Sequence, residues 1–167
     1  MREEPVIENR DVLHYAGIPI KVTLPEWHRA NALVPEIYQW LERRGIAPLG
    51  GPVYRYRTIG GAEREFDLEV GVPVAGPVDG DGRVLASALP AGAYAVAVHH
   101  GHPDRQEGTH QALQEWAATQ GVELDCTGSG ADTVWTARYE TYLTDPAEHP
   151  DPEQWSTELA YLTKRRP

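Results

Sequence analysis

The sequence predicts an α+β fold in which a strand-helix-strand-strand unit is used twice around a pseudo-two-fold axis. Three observations predict it: short segments with period-two apolar alternation, two segments with helical spacing, and a weak internal repeat. In the repeat, WLERRGI (residues 40–46) lies over WAATQGV (residues 116–122), with Trp, then Gly five residues on, then a β-branched residue. Each match is followed, after a loop, by a strand that ends at a proline, Pro73 or Pro146. The expected architecture is an antiparallel sheet carrying two helices, with a cleft where the halves meet. One domain spans residues 1–167, with pseudo-repeats at about 12–89 and 92–163.

Residues 11–24 contain VLHYAGIPIKVTL, which reads as a strand with a Gly-Ile-Pro break. Pro25 and Glu26 open a helix whose apolar residues Leu33, Ile37, Trp40 and Leu41 share one face, and Gly45 sits where a C′ glycine belongs. VYRYRTI is the next strand. EFDLEVGVPV then sets Phe66, Leu68, Val70 and Val72 on one face and Asp67 and Glu69 on the other. PVDGDG is a connector, and residues 83–89 form a short strand closed by LPAGAY. YAVAVHH opens the second half as a strand. GHPDRQEG leads into a helix with Ala112, Leu113 and Trp116 on its apolar side, ended by Gly121. VWTARYETYL is a strand that stops at Asp-Pro, residues 155–163 form a last strand, and KRRP reads as a frayed tail. Trp40 and Trp116 read most simply as wedges between helix and sheet.

Composition narrows the function. The formal net charge of -10 disfavours nucleic acid, whose phosphates would be repelled, and favours cations, cationic small molecules or basic protein surfaces. The only cysteine, Cys126, excludes an internal disulfide and a cysteine zinc site, which fits a reducing cytoplasm. No apolar h-region and no long apolar run is present, so a soluble cytoplasmic protein is expected. Five Trp and eight Tyr against one Phe suit a wet, aromatic-lined cavity, or interface and rim packing.

Candidate site residues come from strand parity. In ARYETYLTDP (residues 137–146), Glu140 and Tyr142 share a face with Arg138, about 7 Å apart along the strand. Such a face looks either at water or at a ligand. Counting back from Pro73, Asp67 and Glu69 occupy the corresponding strand of the first half and would aim at the same cleft, or else form a polar outer face. In HHGH, His99 and His100 face opposite sides of a strand, so no metal is expected, and His99 could line the pocket mouth. Trp27 and Trp155 could wall the cleft. Trp135 shares Ala137's face and is expected in the core. No nucleotide-binding or serine-hydrolase motif occurs, and no cofactor is expected.

Four stretches, D-x-E-V-G-x-P-V, L-P-A-G-x-Y-A-V, the His-Gly ending that strand, and E-x-Y-L-x-D-P, together resemble the GyrI-like small-molecule-binding domain. This is the effector domain of AraC-type and MerR-type multidrug regulators, also found free-standing. The resemblance covers about residues 12–162 and implies the doubled strand-helix-strand-strand fold. It further implies one aromatic pocket whose Glu, here Glu140, meets cationic lipophilic ligands while Tyr142 stacks. No helix-turn-helix fits before Val12, so a regulator acting alone is disfavoured. The resemblance leaves three functions open: capture of bulky, aromatic, often cationic compounds for drug sensing, sequestration or self-resistance; hydrolysis of strained electrophilic rings such as cyclopropanoid natural products, with Glu140 as general base; or a gyrase-inhibitor-like protein-binding module. The ligand's identity and the oligomeric state stay open.

Overall fold

The structure is a computed structural model and describes residues 4–164. Ten strands occur among the described residues: β1 (Val6–Arg10), β2 (Leu13–Val22), β3 (Val53–Thr58), β4 (Phe66–Val74), β5 (Leu85–Leu89), β6 (Gly92–His100), β7 (Cys126–Thr127), β8 (Val134–Trp135), β9 (Arg138–Tyr142) and β10 (Ser156–Leu162). The helices are α1 (Trp27–Asn31), α2 (Leu33–Arg43) and α3 (Gln106–Thr119). Eight strands form one antiparallel sheet in the order β1-β6-β10-β9-β3-β4-β2-β5, and β7 and β8 pair separately. Outward from the central β3–β9 pair, one half runs β4-β2-β5 and the other β10-β6-β1.

Both faces of the sheet are buried. On one, Leu68, Val70, Val72 and Val74 of β4 pack against Leu33, Ile37, Trp40 and Leu41 of α2. Beside them Ala95, Ala97, Leu159 and Tyr161 pack against Leu113 of α3. The other face holds Tyr15, Val53, Leu89, Tyr94, Val96 and Tyr139. Trp40 is buried, as expected of a wedge, and its indole N–H donates to Asp81 Oδ2 at 2.9 Å. Trp116 is half-buried against the α3 core. Gly45 and Gly121 end α2 and α3 at φ 68° and 69°, a left-handed turn that suits glycine.

Three local readings differ from the sequence expectation. The first helix is split into α1 and α2 at Ala32, which leaves Pro35 in the first turn of α2, where a missing N–H is tolerated. The edge strand β1 lacks apolar alternation. It is held by pairing with β6 and by Arg10, which meets Glu158 at 2.7 Å and donates to the Tyr139 hydroxyl at 2.8 Å. The expected strand through residues 134–142 breaks after Trp135, where Thr136 N bonds Asp125 O. The break moves Trp135 off Ala137's face and sets its ring edge-on to Tyr161, 5.2 Å between centroids. The KRRP tail lies outside the described residues beyond Lys164. No helix among the described residues is long and apolar enough to cross a membrane.

The D-x-E-V-G stretch has a packing role. Gly17 of β2 and Gly71 of β4 are register partners, and the Tyr15 ring lies across both. A Cβ at Gly71 would fall 2.4 Å from Tyr15 Cδ2, and one at Gly17 would fall 2.9 Å from Cε2. The fully buried ring is tied at its far end, where the hydroxyl donates to Glu69 and accepts from Arg55 Nη1 at 3.1 Å. Gly71→Ala should therefore destabilise the protein by about 1–3 kcal/mol, the range for overpacking a filled site. Urea denaturation checks this, and an unchanged midpoint would show that the ring does not fill the slot.

Candidate functional site

A cavity of about 1070 Å³ opens on the helix-bearing face, above the central strands. Tyr56 of β3 and Arg138, Glu140 and Tyr142 of β9 line its sheet side. Gln106, His110 and Gln114 of α3 form one wall. Trp27, Ile59 and Phe66 form the other. Parity explains the sheet side: Arg138, Glu140 and Tyr142 alternate with Tyr139 and Ala137, which are buried on the opposite face. The register pairs Tyr54 with Glu140 and Tyr56 with Arg138, so β3 sets its two tyrosines beside the acid.

Glu140 is only 4% exposed. Its Oε1 accepts from the Tyr56 hydroxyl at 2.8 Å, and the Tyr142 hydroxyl stands 3.5 Å away, long for a hydrogen bond. Its Oε2 lies 2.7 Å from His110 Nε2. His110 Nδ1 lies 2.7 Å from the Tyr161 hydroxyl, which accepts from Gln114 Nε2 at 3.0 Å. One proton assignment satisfies the whole chain: Gln114 donates to Tyr161, Tyr161 to His110 Nδ1, and His110 Nε2–H to an ionised Glu140. Burial pushes the Tyr56 and Tyr142 phenols well above their usual range, and the Glu140 charge pushes them further, so both stay protonated donors. Burial also lowers the His110 pKa, outweighing the attraction of Glu140, and keeps the imidazole neutral.

Trp27 stacks near-parallel to Tyr54 and Tyr56 at centroid distances of 6.2 and 6.1 Å and meets Phe66 edge-on at 5.2 Å. Tyr142 meets Tyr54 edge-on at 5.2 Å. The cavity is therefore lined by aromatic faces and edges around one buried acid.

Glu140, Tyr142 and Trp27 thus come together at this cavity, and the other residues singled out by sequence do not. Asp67 and Glu69 lie on the opposite face of the sheet from Phe66 and Leu68, and Glu69 is buried against Tyr15. Counting back from the prolines aligned β4 with β9, yet the neighbour of β9 at the cavity is β3, and β4 lies one strand further out. His99 is buried behind α3: Nδ1 is 2.6 Å from Thr109 Oγ1, and Nε2–H donates to His102 O at 3.0 Å, which fixes the loop entering the helix. Trp155 donates to His149 O at 2.7 Å, away from the cavity. Among the described residues no group of three His, Cys, Asp or Glu is placed to hold a metal ion.

Tyr56, His110 and Arg138 were not singled out by sequence. His110 carried a signal. Gln106, Thr109, His110, Leu113 and Ala117 fall at helical spacing and are all buried, so polar groups occupy the core-facing stripe of α3. A polar residue on such a stripe needs a buried partner, and the partner of His110 is Glu140.

Comparison with known proteins bears on the family and the fold. The profile of the GyrI-like small molecule binding domain matches residues 3–161. The chain belongs to this family. Among solved structures, this GyrI-like chain is similar to the EcmrR C-terminal domain, at 16% identity and a TM-score of 0.79, with 98% of each chain covered. Against EcmrR in its DNA complex, at 16% identity and a TM-score of 0.80, the match covers 98% of this chain and spans 58% of that one. A hydrolase from Listeria innocua matches at 15% identity and a TM-score of 0.66, covering 96% of this chain and 92% of its own. SAV2435 bound to tetraphenylphosphonium matches at 13% identity and a TM-score of 0.57, covering 97% and 94%. At these identities the likeness is one of fold. No curated protein matches the GyrI-like chain.

The buried histidine gives the family member a pH signature. The folded pKa of His110 is lowered from the ordinary value of 6.5, so between the two values the unfolded chain binds a proton that the folded chain refuses. The contribution of His110 is complete above about pH 6.5 and is lost as the pH falls below it toward the folded pKa. Thermal unfolding of the wild type should therefore fall faster between pH 7.5 and pH 5 than that of His110→Gln. Parallel curves would show that His110 protonates freely in the fold.

Proposed function

We propose that the cleft binds bulky aromatic small molecules, cations among them, and serves drug sensing, sequestration or self-resistance in the cytoplasm. One observation carries this reading. The carboxylate of Glu140 is buried at an aromatic cavity, held by the Tyr56 hydroxyl and the neutral imidazole of His110, with no cationic side chain paired to it among the described residues. A ligand cation would supply the missing charge, and each face of Trp27 or Tyr142 would add about 0.5–2 kcal/mol of cation–π attraction. The tetraphenylphosphonium held by SAV2435 is of this chemical class and supports the reading by fold likeness. The mirrored strand order about the β3–β9 pair is consistent with the duplicated unit expected from sequence, and we read the cleft as its central site. An open cavity of this size favours a small molecule over a gyrase-type protein partner, and the net charge of -10 argues against direct DNA binding.

Glu140→Gln should weaken tetraphenylphosphonium by about 1.5–3 kcal/mol, the worth of a charge-assisted contact, and change a neutral arene of similar shape much less. Calorimetric titration of both ligands measures this. Equal losses would mean that the carboxylate is structural and would remove the cation-binding account.

The relay from Tyr161 through His110 to Glu140 favours a second reading, hydrolysis of a strained ring. Glu140 would take a proton from a water whose oxygen bonds to a ring carbon. The strained C–C bond to that carbon breaks, its electron pair passes to the electron-withdrawing group conjugated with the ring, and that group takes up a proton, while the aromatic walls hold the electrophile near attack distance. Incubation with a tenfold excess of a cyclopropane-bearing alkylator distinguishes the two. Turnover predicts a ring-opened product, one water heavier, lost by about 10²-fold in Glu140→Gln. Only intact compound by mass spectrometry would leave a sequestrant.

A further inference from the structure

Arg138 shares the cavity-facing side of β9 with Glu140 and is only 9% exposed, yet nothing in the fold satisfies it. Among the described residues its side chain donates no hydrogen bond and makes no ion pair, and its buried Nε has no partner. Its surroundings are ring faces. The guanidinium carbon stands 5.0 Å from the Tyr161 centroid, 5.1 Å from that of Trp135 and 6.0 Å from that of Tyr56. These rings favour the cation and hold its plane, but they offer no oxygen to its N–H donors.

The same chain shows what a structural buried arginine looks like. Arg55, 8% exposed on the opposite face, directs Nη1 to the Tyr15 hydroxyl and Ala88 O, both at 3.1 Å, and Nη2 to Thr136 O at 2.8 Å. Both arginines leave Nε without a partner, so the difference lies in the terminal nitrogens: Arg138 has much the same burial and none of these acceptors. An unpaired guanidinium this deep is unfavourable unless something in the cavity supplies the oxygens. Glu140 does not: it is engaged by Tyr56 and His110 and forms no ion pair with Arg138. The two charges stand two residues apart on one strand face, about 7 Å.

We propose that the cavity recognises an aromatic ligand carrying a planar oxyanion, a carboxylate, in addition to its cationic or donor group, and that Arg138 is the residue that takes the oxyanion. This rests on the reading of the cleft as a small-molecule site. Glu140 and Arg138 then form two subsites of opposite charge joined by aromatic walls. The preferred ligand is a zwitterion, whose two ends match both subsites, and a simple monocation leaves the guanidinium unpaired. The planar fork of Arg suits a carboxylate in a bidentate way that an ammonium would not.

Two dyes with one ring system test this: a rhodamine ethyl ester, a monocation, and its free acid, a zwitterion. Fluorescence polarisation with wild-type protein should give tighter binding of the free acid, by about tenfold or more, the value of one charge-assisted pair. Arg138→Gln should weaken the free acid at least tenfold more than the ester. Arg138→Lys, which keeps the charge and loses the fork, should fall between, and thermal unfolding of both variants reports whether they fold. Glu140→Gln should weaken both dyes. Equal binding of ester and acid by the wild type would overturn the oxyanion subsite even if neither variant folds, and would leave the aromatic-cation reading standing. Failure of the wild type to bind either dye would overturn both.

Discussion

Burying one carboxylate on the central strand β9 makes demands on three other elements. Glu140 cannot sit in the interior without donors, so β3 must bring Tyr56 and α3 must bring His110 to within hydrogen-bond distance. His110 in turn needs the Tyr161 hydroxyl of β10, and that hydroxyl needs Gln114. The register of β3 on β9, the rotation of α3 about its axis and the seat of β10 all meet at this one charge. Satisfying it from the sheet and from α3 leaves the remaining side open, and that side is the cavity.

The sheet carries a second buried acid, and the contrast is instructive. Glu69 on the other face meets Tyr15, which meets Arg55, and Arg55 reaches two backbone carbonyls. Acid, phenol and guanidinium close on themselves inside the protein. On the cavity face the same residue types are present, Glu140, Tyr56 and Arg138, but the acid and the guanidinium are kept apart. One arrangement pairs its acid with a phenol and both terminal nitrogens of its guanidinium within the protein, leaving only Arg55 Nε without a partner, and reads as structural. The other leaves charge unpaired beside a space large enough to hold a ligand.

Much of the fold was legible because β4 and β9 alternate apolar with polar side chains, β6 is a short apolar run, and α2 has an apolar stripe ended by Gly45. Parity along β9 put Glu140 and Tyr142 on one face, and the resemblance to the GyrI-like domain is what assigned that face to a pocket. What escaped did so for physical reasons. The edge strand β1 is held by pairing and by Arg10 rather than by apolar burial, so it had no pattern to read. Asp67 and Glu69 have the right parity to leave the α2 core, but parity alone cannot say that this second face is also buried. Which strand neighbours β9 is a matter of sheet order, and proline spacing pointed to β4 where the sheet has β3. The role of His110 depends on a partner 30 residues away, so only the oddity of a polar group on an apolar stripe marked it.

The account depends on Glu140 being an ionised acceptor that organises its donors. The state of His110 reports this directly, because the imidazole lies between Tyr161 and Glu140. Nitrogen NMR of protein labelled in its histidine rings, recorded near neutral pH, separates the three possible forms. The account predicts a neutral ring with its proton on Nε2, pointed at Glu140, and Nδ1 accepting from Tyr161. A proton on Nδ1 with Nε2 bare would mean that Glu140 is itself protonated and donates to the ring, which would contradict a charged acid at the cavity.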